Sequence, residues 1–264
     1  MTVLDDILVG VRQDVRIREE QTPFMDLVDH IPEMPPALSV VDRLRLPGCV
    51  PVIGEIKRSS PYSGDLAAIE NPGELAQQYQ AGGASAVSVF TEPRHFKGSL
   101  ADLNAVKQAV TIPVLRKDFI VSPYQIYESR AYGADMLALV VSALPGSQLV
   151  SFMEITEQLG MTAMVSVHTA DEVHWALQAG VQVLGINARD PKTNTVNRAD
   201  FVELAKLVPQ DVIVVAEFAV GVPDDVPLYH QAGADAILVG KALVTAPNPQ
   251  QVVAELVAAG RIED

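Results

Sequence analysis

From residue 50 onward the chain alternates two patterns of apolar and polar positions. Short runs rich in Val, Ile, Leu and Ala fall at 51–57, 86–91, 113–117, 135–141, 162–167, 183–187, 212–217 and 236–239. Most lack clean polar alternation, as parallel strands covered on both faces do. Amphipathic segments separate them, at 72–81, 99–110, 122–132, 145–159, 169–179, 198–207, 222–232 and 248–259. Asn71-Pro72, Ser122-Pro123 and Thr169-Ala170-Asp171-Glu172 are helix-start signals. Glycines at 83, 133, 180 and 233 fall where helices end before the next strand.

Eight strand–helix units in sequence predict an α/β fold, a (β/α)8 TIM barrel, since eight units close such a barrel in ~250 residues. An open doubly wound sheet is the alternative. It usually carries G-x-G-x-x-G after its first strand, where this chain reads Arg58-Ser59-Ser60-Pro61. Residues 1–49 lie outside the repeat and predict an N-terminal helical extension packed on the barrel. Leu4, Ile7, Leu8 and Val11 recur at helical spacing. They predict a helix, then a charged turn over Arg16–Glu20, a Pro-containing connector and a short helix near 38–45. Residues 50–264 form the barrel, and the whole reads as a single domain.

The net charge of −14 disfavours nucleic acid or an anionic membrane as partner. It also requires that cations for an anionic ligand be concentrated locally. Arg58, Arg116, Lys117, Arg189 and Lys241 all fall at or just past predicted strand ends. One cysteine, Cys49, excludes an intrachain disulfide, and the longest apolar runs are strand-sized. The expectation is a soluble, cytoplasmic protein. His30, His95, His168, His174 and His230 form no H-x-x-x-H or H-E-x-x-H pattern, so no metal is expected.

The strand ends carry the candidate chemistry, because barrel active sites sit there. Glu55 and Lys57 lie two apart on the first predicted strand, hence on one face. Lys117 ends the third strand, Asn187 the sixth and Glu217 the seventh. Any one such pair is readily explained as a salt bridge. Two apolar strands ending in lysine, with carboxylates near, favour general acid–base work. Gly240-Lys241 opens the last helical connection, a position suited to a phosphate or simply to a tight turn.

Several of these stretches resemble one family. Ile53-Gly-Glu-Ile-Lys-Arg-Ser-Ser-Pro61, Val87-Ser-Val-Phe-Thr-Glu-Pro-Arg-His-Phe-Lys-Gly-Ser99 and Pro113-Val-Leu-Arg-Lys-Asp-Phe-Ile-Val121 are similar to indole-3-glycerol phosphate synthase of tryptophan biosynthesis. Gly185-Ile-Asn-Ala-Arg-Asp190 and Leu238-Val-Gly-Lys-Ala-Leu243 extend the likeness. The resemblance implies a carboxy-lyase acting on an anionic phosphosugar–anthranilate, 1-(2-carboxyphenylamino)-1-deoxyribulose 5-phosphate. Ring closure releases CO₂ and water. No cofactor is implied. By position, Lys117 resembles the general acid on the ketone oxygen, with Lys57 and Glu55 its partners in dehydration. Asn187 and Glu217 resemble polar site positions, and Phe96 and Phe119 aromatic-pocket positions. Ser60, Gly240 and the Lys241 backbone resemble phosphate contacts, and Arg189 a residue orienting a carboxylate or loop.

The likeness breaks on two strands. The family's fifth strand usually ends Val-Glu-Val-His, the glutamate serving as general base; here it ends Val165-Ser166-Val167-His168. Its seventh usually ends Glu-Ser-Gly, against Glu217-Phe218-Ala219 here. Loss of one proton-transfer group commonly costs about 10²–10⁴ in rate. The departures therefore set an expectation of impaired activity. The alternative they raise is a non-catalytic or repurposed paralogue that binds a related phosphate or a protein partner.

Overall fold

The computed structural model describes residues 2–188, 198–217 and 220–262. Eight parallel strands close into one barrel. They are β1 (Val52–Ile56), β4 (Ala86–Phe90), β5 (Val114–Lys117), β6 (Met136–Val140), β7 (Thr162–Val167), β8 (Val183–Asn187), β9 (Ile213–Glu217) and β10 (Ala236–Val239). Around the ring the order is β1-β10-β9-β8-β7-β6-β5-β4, with β4 closing onto β1. Each of the eight predicted strands is present, within one residue at either end. A two-residue antiparallel ribbon, β2 (Ser59–Ser60) with β3 (Gly64–Asp65), follows β1 and was not legible as a strand pair. Helices α4 (Pro72–Ala81), α5 (Leu100–Ala109), α6 (Pro123–Ala131), α7 (Gly146–Gln158) and α8 (Ala170–Gln178) pack outside. So do α9 (Arg198–Ala205), α10 (Asp225–Gln231), α11 (Lys241–Val244) and α12 (Pro249–Ala259). The helix-ending glycines 83, 133, 180 and 233 all take positive φ.

Strand parity divides the residues into two sets. Ile53, Ala86, Leu115, Met136, Met164, Val183, Ile213 and Ala236 form one buried cluster and fill the barrel interior. Their neighbours, such as Val52, Val87, Val114, Leu137, Val165 and Leu184, belong to the larger cluster between sheet and helices. Stepping by two from the inner set toward the strand C-termini reaches Glu55, Lys117, Ser166, Asn187 and Glu217. The apolar lower layers are thus the floor on which the polar residues stand.

The N-terminal segment seals both ends. Val40 and Leu44, on and just before α3 (Val41–Leu44), join the interior cluster from below. Arg45 pairs with Asp235 immediately before β10. Helix α1 (Val3–Gln21) lies over the opposite end. Its buried stripe Ile7, Val11 and Val15 packs with Phe90, Phe96 and Tyr124. The charged stretch Arg16–Glu20, expected as a turn, continues α1 instead, because the i, i+4 stripe runs on to Val15 and Arg18 pairs with Glu128. The connector after it also contains a helix that was not expected, α2 (Phe24–His30), followed by a 3₁₀ turn over Ile31–Glu33. With seven residues, α2 is too short to show a periodicity, and it is held by contacts such as Phe24 edge-on to Tyr127.

Candidate active site

A cavity of about 400 Å³ opens at the C-terminal ends of the strands. Lys57, Ser60, Phe96, Lys117, Phe119, Ser166, Asn187 and Glu217 all line it, so residues scattered over 160 positions converge. Glu55 stands just behind, ion-paired to Lys57. Lys117 reaches across the barrel from β5 to Glu217 on β9, four strands away around an eight-stranded ring. The site therefore holds two lysine–carboxylate pairs, and all four side chains are at most 7 % exposed. Charges this deeply buried persist only when paired.

Two glycines make room for the two carboxylates. A Cβ on Gly185 would lie 1.9 Å from Glu217 Oε1. One on Gly240 would lie 2.3 Å from Glu55 Oε1. Gly240 is thus explained by the approach of Glu55 rather than by a turn alone. Among the described residues, Gly240 and Lys241 do not line the cavity, and the Lys241 side chain is exposed.

Beside the lysines is an aromatic wall. Phe90 and Phe96 stack with centroids 4.0 Å apart and planes 5° from parallel, and Phe119 lies 6.1 Å from Phe96. Lys57 Nζ sits 5.4 Å from the Phe90 ring centroid. The loop that presents Phe96 is built around Glu92. This carboxylate is fully buried and accepts from the backbone N–H groups of Arg94, His95 and Phe96 at 3.0, 2.7 and 2.9 Å. Thr2, Val3, Leu4 and Ile7 of the α1 end complete the wall. Neither Phe90 nor Glu92 was singled out in the sequence. The inward parity of Phe90 on β4 was the available signal.

Two cations expected near an anionic ligand lie elsewhere. Arg58 turns outward to Asp102 at 2.5 Å and to the Ile69 carbonyl at 2.8 Å. Arg116 has outward parity and is buried between β5 and α6, bonded to Thr91, Asp118, Glu128, Ser129 and the Gln125 carbonyl. Burial works against its charge, but Glu128 and Asp118 outweigh that and hold the guanidinium above its usual range. Arg189, Phe218 and Ala219 lie outside the described residues. His168 lines the cavity with its ring nitrogen 3.3 Å from Glu172, whose carboxylate also accepts from the His168 backbone N–H at 2.6 Å. Among the described residues no group of three or more His, Cys, Asp or Glu side chains is placed to hold a metal ion.

The cavity thus brings two buried lysine–carboxylate pairs beside an aromatic slot. Residues 4–256 match the family described as indole-3-glycerol phosphate synthase. The chain belongs to that family. The indole-3-glycerol phosphate synthase of Beutenbergia cavernae is 54% identical over 260 residues, covering 98% of this chain and 96% of the relative. That of Mycolicibacterium smegmatis is 54% identical over 259 residues, covering 98% and 95%. Outside the family, a thiamine phosphate pyrophosphorylase from Pyrococcus furiosus superposes with a TM-score of 0.61 at 17% identity. It covers 84% of this chain and 97% of its own, a likeness of fold alone.

Proposed function

We propose that the cavity above the strands is where this chain carries out the indole-3-glycerol phosphate synthase reaction, a decarboxylating, dehydrating ring closure. Family membership across nearly the whole chain supports the reaction itself. The observation that carries the assignment of residues is the convergence of two buried lysine–carboxylate pairs on one cavity with an aromatic wall. The wall of Phe90, Phe96 and Phe119 suits the anthranilate ring. Lys117 donates a proton to the ketone oxygen as the aromatic carbon attacks, which makes the ketone carbon electrophilic without building a free alkoxide. Loss of CO₂ from the ring carbon that made the attack, the one bearing the carboxylate, restores aromaticity. Lys57, held by Glu55, then protonates the departing hydroxyl so that it leaves as water, and the methylene carbon beside the nitrogen gives its proton to a carboxylate of the site as the C=C bond forms. Asn187 and Ser60 contact the sugar chain and its phosphate.

The expectation of impaired activity, and the repurposed-paralogue alternative, find no support in the comparisons. The test is to incubate the purified chain with the synthetic substrate and measure indole-3-glycerol phosphate and CO₂ together. One-to-one formation at about 1 s⁻¹ or faster is expected. A folded protein that forms neither product would overturn the reading.

A further inference from the structure

Ser166 is 2 % exposed and sits inside the Lys117–Glu217 pair. Lys117 Nζ donates to Ser166 Oγ at 3.1 Å, and Ser166 Oγ donates to Glu217 Oε1 at 2.6 Å. Glu217 Oε2 receives Lys117 directly. The three groups close a triangle across β5, β7 and β9. Chemistry fixes its directions: an ammonium only donates, a carboxylate only accepts, and the hydroxyl between them does both. Two of the three Lys117 protons are thereby committed, and one is left for a group in the cavity. Two neighbours give the triangle its room. Ala138 is the small inward residue of β6, the strand that Lys117 passes to reach β7. Gly185, paired in register with Ser166, leaves open the space that Glu217 Oε1 occupies.

We propose that Ser166 is a positioning residue, which orients Glu217 and Lys117 so that Glu217, not a side chain on β7, accepts the proton that the methylene carbon beside the nitrogen loses in the dehydration. The inference rests on the reaction assigned above. A hydroxyl committed as donor to a carboxylate takes no proton itself, and among the described residues Glu217 is the one carboxylate bonded to Lys117. Ser166 holds that carboxylate by its other oxygen. Among the described residues, the other charged or titratable groups around the pair are Lys57 with Glu55 from β1, Tyr62 beyond β1, Asp118 beyond β5, and His168 with Glu172 beyond β7.

The decisive readout does not need turnover. In protein labelled with ¹⁵N-lysine, an ammonium held by two internal acceptors exchanges its protons slowly, and its resonance is identified by its disappearance in Lys117→Arg. Ser166→Ala should broaden or abolish that resonance, and Ser166→Thr, which keeps the hydroxyl, should restore it. Kinetics give the second readout. Ser166→Ala should lower kcat about tenfold while KM changes less than about twofold. Ser166→Thr should recover most of the loss. Ser166→Glu should also lower kcat, since it removes the hydroxyl donor and sets a second carboxylate against Glu217. An unchanged Lys117 resonance in Ser166→Ala would overturn the positioning role. A tenfold or larger rise of kcat in Ser166→Glu would overturn Glu217 as the acceptor. Absence of turnover in the unmodified chain would instead count against the assigned reaction, leaving the resonance test to decide the triangle.

Discussion

Arg116 and Lys117 are consecutive cations on β5, both buried, and they face opposite sides of the strand. Arg116 points to the helix layer, where Thr91 and Asp118, just past β4 and β5, and Glu128, Ser129 and the Gln125 carbonyl on α6 engage all three of its nitrogens. Lys117 points into the barrel, where Ser166 and Glu217 take two of its protons and a cavity faces the third. Burial and charge are the same in the two cases. Saturation and the presence of an open side differ. A buried cation whose every nitrogen is engaged by its surroundings is held as scaffold, while one with a donor facing a cavity can meet a ligand there.

Substitutions sharpen the contrast. The largest expected loss of stability is for Arg116→Met, which leaves Glu128 and Asp118 buried without their shared partner. Breaking one side of a buried ion pair costs about 3–5 kcal/mol. Chemical denaturation should show a destabilisation on that scale. A loss below about 1 kcal/mol would mean that the network is not structural.

Gly185→Ala comes next. Its methyl group would occupy the space of Glu217 Oε1, so the carboxylate must rotate away from Ser166. Misplacing a catalytic group by an ångström costs up to about 10²-fold in rate. We expect kcat to fall by about ten- to a hundredfold, with the fold retained by circular dichroism. Wild-type kcat in this variant would show that the orientation of Glu217 does not matter.

The smallest effect belongs to Arg94→Ala. Arg94 ties the loop after β4 to Asp14 on α1, but its side chain is 41 % exposed. Exposed pairs contribute about 0.2–1 kcal/mol. The unfolding free energy should fall by no more than that. A loss as large as that of Arg116→Met would erase the distinction between exposed and buried pairs.

The barrel was legible because eight apolar runs recur with helix caps between them, and each run had only one way to be buried. Glu55, Lys57 and Lys117 were legible as ionisable groups ending such runs. Arg116 was misread as a cation for the ligand, although parity with Leu115 in the interior already turned it outward. That signal was present and unused. The roles of Gly185 and Gly240 were not legible, because each depends on a carboxylate brought from another strand by barrel closure. The same holds for Ser166. In sequence it reads as an absent carboxylate, while in space it is a bridge between β5 and β9. Residues 24–30 were hidden for a different reason: a short helix stabilised by tertiary contacts leaves little periodic trace.

The most direct test of the account measures Lys117→Met twice, for turnover and for stability. Lys117 lines a cavity that admits water, so Glu217 can be solvated when its partner is removed. The account predicts that kcat for indole-3-glycerol phosphate formation falls by about 10² or more. The loss of unfolding free energy should be smaller than in Arg116→Met, because Ser166 still donates to Glu217 and the cavity gives the carboxylate a route to water. A folded Lys117→Met protein with undiminished kcat, or one destabilised as severely as Arg116→Met, would contradict it.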